Sequence, residues 1–210
     1  MPASLIPGRA AALASPKKWT LPARGLAVYY GCPETLRLFH YFLPAAILTG
    51  RRLLCLDGGN RFDPLLLARM ARQRRIETAL FNQHVRVARA FTCFQLTELL
   101  ARVARPTAAT RNFRADTLLV TALPDLYFDE DVRDVPARAS FSHALQELRR
   151  LRLQFGVAVF SDAPSFTTAR QRFFPALLSV ADYIWKFTPE QDGGVQLACE
   201  KSSAALPAAG

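Results

Sequence analysis

The chain has 210 residues, 50% of them hydrophobic, enough to bury the core of one ordinary domain and too apolar for a wholly disordered protein. Its formal net charge of +10, from 27 basic against 17 acidic residues, makes a polyanion such as nucleic acid a candidate partner, although nearly all the bases are arginine, a bias that coding-DNA composition also produces. Cys32, Cys55, Cys93 and Cys199 lie far apart with no CxxC pair, which excludes a disulfide scaffold and suits a reduced, cytoplasmic protein.

Residues 1–23 are rich in Ala, Pro and Ser and carry Arg9, Lys17 and Lys18. They lack the charged start and continuous apolar block of a signal peptide and read as a flexible basic arm, either a passive tail or a contact for DNA or a partner. Gly25 to Tyr30 reads as a buried strand, and Gly31-Cys32-Pro33 turns the chain toward a helix near Glu34. The apolar segment Leu36 to Leu48 is interrupted by Arg37, His40 and Pro44 and is shorter than the roughly 20 residues that span a bilayer, so it reads as a core helix and no membrane partner is expected.

Arg51 to Leu56 is the second strand, and it delivers DGGNRFDP. Asp63 before Pro64 suits the cap of a helix running to Arg75, with Leu65, Leu66, Ala68 and Met70 available to a sheet. Val85 to Ala88 alternates with Arg86 and Arg89 as a third strand, followed by a helix from Thr92 to Val103; Phe91 before it and Phe94, Leu96, Leu99 and Leu100 within it are expected core residues. The interval Leu66 to Arg114 holds ten arginines against two glutamates, a net of +8, and concentrates the excess charge of the chain. Arg69, Arg72, Arg75, Arg86 and Arg89 are candidates for DNA contact; a solvated helix face is the simpler explanation of any one of them, and as a group they favour a polyanion or an acidic partner.

Thr117 to Thr121 is apolar on both faces, as the centre of a parallel sheet requires. The acidic stretch Tyr127 to Asp134 reads as a solvated loop, a cap or a contact for a basic face, and Asp125 reaches the sheet edge only by a changed backbone path. A helix over Ala137 to Phe155 ends at Gly156, and Val157 to Phe160 is a fifth strand. Ala163 to Arg172 combines Phe166 with Arg170 and Arg172, the aromatic and basic mixture that single strands use. Ala181 to Phe187 and Val195 to Cys199 form a terminal hairpin, and residues 201–210 read as a disordered tail. The histidines stand apart from the cysteines at no zinc-like spacing, so no metal site is expected.

Three phrases in order, DGGNRFDP, VRVARAF and QFGVAVF, make residues 24–200 resemble the RecA-type recombinase and ATPase superfamily. The resemblance implies an α/β, RecA-like three-layer fold with a mainly parallel central sheet and a C-terminal antiparallel hairpin. It places a phosphate-binding loop, GxxxxGK(S/T), after the first strand, where Gly31 matches, Leu36 replaces the second glycine, Arg37 the lysine and Leu38 the magnesium-binding hydroxyl. Asp57 matches a strand-end aspartate, Gly59 replaces the water-activating glutamate, and Thr121 replaces the Walker B aspartate. Ser161 and Asp162 stand where relatives carry a nucleotide-sensing polar residue, and 163–172 is the place of the second DNA-binding loop.

Gly31, Arg37 and Asp57 therefore mark a degenerate nucleotide site, with neither ATP nor magnesium expected. The implied function is a non-catalytic recombinase-like protein that binds DNA or a recombinase partner in recombination or repair. The alternatives are a divergent ATPase and a scaffold subunit beside an active RecA-like relative or a second copy of itself.

Overall fold

The computed structural model describes residues 20–32, 35–105, 114–162, 170–190 and 195–202. In chain order the elements are β1 (Gly25–Gly31), α1 (Thr35–Leu38), a 3-10 turn (Phe39–Phe42), α2 (Leu43–Leu48), β2 (Leu53–Gly58), α3 (Pro64–Arg74), α4 (Thr78–His84), β3 (Val85–Ala90) and α5 (Cys93–Ala104). They continue as β4 (Thr117–Thr121), a 3-10 turn (Asp125–Phe128), α6 (Asp134–Leu151), β5 (Gly156–Asp162), α7 (Phe173–Val180), β6 (Tyr183–Pro189) and β7 (Val195–Ser202).

The strands form one sheet in the order β3-β2-β4-β5-β1-β6-β7. All neighbouring pairs are parallel except β6 and β7. The expected hairpin is thus present, but its first strand extends the parallel sheet along β1 and only its second returns antiparallel. The central strands β4 and β5 carry near-continuous apolar runs because helices cover both faces.

Side-chain alternation along each strand splits the core into two layers. Tyr29, Cys55, Leu119 and Phe160 pack toward α1 to α4, while Val28, Leu56, Val120 and Val159 pack toward α5 to α7. The distribution follows from connection handedness: β1 and β2 cross toward the β3 edge, whereas β3, β4 and β5 cross the other way, so right-handed crossovers put their helices on opposite faces. The α/β class and the mainly parallel sheet agree with the reading of the sequence.

Several boundaries differ for local reasons. The expected helix from Leu36 to Leu48 is two short helices joined by a 3-10 turn, because Pro44 lies in the first turn of α2 and starts a new helix there. Residues 20–22, expected in the arm, are held by the domain: the Leu21 side chain is buried, Arg51 donates to the carbonyls of Leu21 and Pro22 at 3.1 and 2.6 Å, and the Tyr29 hydroxyl donates to that of Thr20 at 3.0 Å. Lys201 and Ser202, expected in the tail, belong to β7, and Lys201 donates to the Ala181 carbonyl at 2.5 Å. Residues 1–19 and 203–210 lie outside the described residues.

Candidate functional site at the carboxyl edge of the sheet

In open α/β sheets ligands gather at the carboxyl ends of strands where the crossover direction reverses. This sheet has two such places, between β1 and β5 and between β2 and β4. They hold the residues expected for a degenerate nucleotide site, and each is built differently from a phosphate cradle.

At the end of β1, Gly31 is a glycine because β6 approaches it: a Cβ there would meet the Phe187 carbonyl oxygen at 2.2 Å. Leu36 and Leu38 turn inward and are buried in the same core layer as Phe39, Phe42 and Phe160. Arg37 between them is exposed. The strand ends carrying Gly31 and Asp57 are three strand spacings apart, roughly 14 Å.

His40, fully buried against Phe39 and Phe62, explains part of this geometry. Its Nδ1 lies 2.8 Å from the Arg37 carbonyl and its Nε2 accepts the Asp63 N–H at 2.9 Å. Those partners fix the neutral ring with its proton on Nδ1, and burial lowers its pKa in the same sense. The histidine thereby ties the segment after β1 to the start of α3. Asp63 caps that helix as expected, accepting from Leu65 N at 2.9 Å and Leu66 N at 3.0 Å, and these bonds lower its pKa.

At the end of β2, Asp57 is fully buried. It accepts the N–H groups of Arg61 at 2.8 Å and Phe62 at 3.0 Å, Arg89 Nε lies 3.6 Å away, and the Thr121 hydroxyl is 3.2 Å away. That hydroxyl is also 3.0 Å from the Gly58 carbonyl, so its single proton serves one of the two acceptors. Thr121 and Asp57 thus stitch β2 to β4 and hold the loop that follows. In that loop Gly59 has φ 75° and Asn60 φ 56°. A glutamate at Gly59 would sit in left-handed backbone, which L residues with a Cβ disfavour by about 1–2 kcal/mol.

A carboxyl group that the resemblance did not single out lies between these places. After β4, Ala122 adopts φ 57° and the chain brings Asp125 beside Ser161 and Asp162 at the end of β5. Asp125 Oδ2 is buried without a hydrogen-bond partner among the described residues. Burial, and then the charge of Asp162, push its pKa up to about 7, opposed by hydrogen bonds that include one from Ser161. The sequence signal was the aspartate four residues past the strand; the backbone path that delivers it is a tertiary property.

The candidates for DNA contact divide sharply. Arg69, Arg72 and Arg75 are exposed on or just after α3, where Leu67, Met70 and Ala71 face the sheet; Arg74 beside them is exposed too. Arg86 and Arg89 are exposed on β3, which is the edge of the sheet. Arg172 is exposed at the start of α7, and Phe166 lies outside the described residues.

Arg170 takes a different role. It is 7% exposed, and its guanidinium donates to Asp134 Oδ1 at 2.8 Å and to the carbonyls of Tyr127 at 2.9 Å, Asp129 at 2.7 Å and Val132. Within the acidic stretch Arg170 pairs with the Asp134 carboxylate alone and otherwise binds backbone carbonyls, while Asp129, Glu130 and Asp131 stay exposed. A planar fork of five donors suits several carbonyls converging on one point, so Arg170 shapes the loop instead of presenting charge to solvent.

Phe91 and Phe94, expected in the core, are 62% and 47% exposed. They flank the start of α5, where Thr92 caps Gln95 N at 3.2 Å and the Gln95 side chain accepts Phe91 N at 2.8 Å. The inward face of that helix is taken by Leu96 and Leu100, as expected, together with Cys93 and Thr97. Arg61, which sequence reasoning passed over, is exposed in the neighbouring loop.

An apolar groove of about 190 Å³ lies among α3, α4 and β3, lined by Phe62, Leu67, Phe81 and Val87 with Thr78 and Asn82 as its polar groups. No titratable side chain lines it. No cluster of three or more histidine, cysteine or acidic side chains suited to a metal occurs among the described residues. No described helix is long and apolar enough to cross a membrane.

No protein-family model matches this chain, and no curated protein matches it.

Proposed function

We propose that this chain is a recombinase-like protein that binds DNA, or an acidic partner such as a RecA-like subunit, without hydrolysing ATP. The observation that carries this reading is the contrast between the first crossover and the arginine surface. Leu36 and Leu38 belong to the core where a phosphate cradle would stand, whereas Arg69, Arg72, Arg75, Arg86 and Arg89 all reach solvent along α3 and β3. Asp57 supports the same reading, because its oxygens are engaged by the following loop and by Thr121. A surface of exposed arginines holds phosphates by charge, and each phosphate neutralised releases counterions.

The test is fluorescence anisotropy with labelled single- and double-stranded oligonucleotides from about 50 to 200 mM salt. Binding that weakens steeply with salt is expected, with a log-log slope of about −0.9 per phosphate contact on duplex. Arg72→Ala combined with Arg75→Ala should lower affinity for both forms and reduce that slope. Absence of binding at the lowest salt overturns DNA as the partner.

Asp125 favours a second reading. A buried carboxyl with a pKa near neutrality beside Ser161 and Asp162 is the kind of group that takes a proton in catalysis, and it stands at the β1/β5 end of the sheet. On this reading the chain is a divergent ATPase in which Arg37 contacts phosphate. Titration with ATP and magnesium separates the two: saturable binding lost in Arg37→Ala supports the ATPase, and no heat of binding at millimolar nucleotide rejects it.

A further inference from the structure

Two phenylalanines exposed within four residues of each other need an explanation, because α5 has enough other apolar side chains to fill its core face. Phe91 and Phe94 also sit on rigid backbone. The reciprocal bonds between Thr92, Gln95 and Phe91 fix the turn from β3 into α5, so both rings are carried by the sheet and a helix.

Their surroundings are cationic. Arg89 lies two residues before Phe91 with 44% of its side chain exposed, even though its Nε is 3.6 Å from Asp57. The loop carrying exposed Arg61 is tied to the end of β3 through Gly59 N donating to the Ala90 carbonyl at 3.3 Å. Of the acids close by, Asp57 is buried and Glu98, though 59% exposed, is paired with Arg102 at 2.9 Å, while exposed Asp129 acts on Cys93 between the two rings and is countered there by Arg170. Exposed rings held rigidly between arginines have the two elements by which proteins hold single strands, faces on which bases stack and donors for the phosphates between them.

We infer that Phe91 and Phe94, flanked by Arg61 and Arg89, form a stacking platform for single-stranded nucleic acid at the carboxyl end of β3. The inference rests on the DNA-binding reading and deepens it by naming the form of the ligand. A duplex offers the same phosphates, but its base faces are stacked inside the helix and the rings cannot reach them. The platform therefore discriminates strandedness, while the arginines of α3 do not.

The experiment uses the full chain with a labelled oligothymidine and a duplex of equal length at low salt. Each of Phe91→Ala and Phe94→Ala is expected to weaken oligothymidine binding about tenfold, leaving the duplex within about twofold. Phe91→Trp should retain binding, and its indole emission should be quenched by oligothymidine and not by duplex, a signature that a purely structural role would not give. Unchanged oligothymidine affinity in both alanine variants, or equal losses on the two ligands, overturns the platform while leaving the DNA-binding reading intact. Failure of the unaltered chain to bind either ligand overturns both.

Discussion

Asp57 and Asp125 are carboxyl groups at the same edge of one sheet, and the chain treats them in opposite ways. Asp57 is completely buried yet surrounded by donors: two backbone N–H groups, the Thr121 hydroxyl and the Arg89 guanidinium. Asp125 is partly buried, with its Oδ2 out of contact with solvent and without a partner among the described residues, and the charge that acts on it is another aspartate, Asp162. Burial alone does not decide what a carboxylate does; the donors that enter the interior with it do. One aspartate became a structural knot, and the other holds a proton near neutral pH.

The largest effect that sharpens this contrast is a pH dependence. The folded-state pKa of Asp125 lies at about 7, above the usual carboxyl value of 3.8, so the folded chain holds a proton that the unfolded chain has released. Stability from this group is complete below pH 4 and falls as pH rises through 7. The loss amounts to about 1.4 kcal/mol per pH unit and about 4 kcal/mol in all. Urea unfolding of the parent chain and of Asp125→Asn from pH 4 to 8 should show the decline in the first and a flatter profile in the second. Parallel profiles would place the proton elsewhere.

Asp57→Ala comes next. It removes the acceptor of the part-buried N–H groups of Arg61 and Phe62 and leaves the Thr121 hydroxyl only the Gly58 carbonyl, and a loss of about 3 kcal/mol is expected in the same unfolding measurement. A loss below about 1 kcal/mol would mean that the loop after β2 is not held by this carboxylate. Gly59→Glu, which restores the residue that the resemblance places there, should cost about 1–2 kcal/mol through its left-handed backbone. It should confer no ATP hydrolysis, measured as phosphate release, since Leu36 and Leu38 still fill the first crossover. The smallest effect belongs to Tyr127→Phe, which removes the hydroxyl 2.7 Å from Thr97 Oγ1 in the network joining α5 and α6; about 1 kcal/mol is expected from thermal unfolding.

Much of the framework was legible because it is written in local patterns. The run TLLVT is apolar at every position, and β4 spans those residues. Asp63 before Pro64 combines a side-chain acceptor with a preset φ, and α3 begins there. The helix α4 was missed because its pattern is weak: only Phe81 is fully buried, and Glu77 at its N-cap makes no side-chain bond. Phe91 and Phe94 were misplaced for a related reason, since a ring at helical spacing reads as core until the neighbouring helices show which face is covered.

Sequence by itself determined the α/β class, the positions of most strands, and the substitution of Leu36, Leu38, Gly59 and Thr121 at positions where the resemblance expects nucleotide chemistry. These rest on residue identity and short-range periodicity, which need no knowledge of distant neighbours. Only the tertiary structure decided that β1 lies between β5 and β6, that Arg170 is locked into the acidic loop, that Asp125 turns back into the sheet edge, and that two phenylalanines remain in water. Each of those depends on which groups from far along the chain come within hydrogen-bonding or packing distance, and contacts of that range leave no period in the sequence.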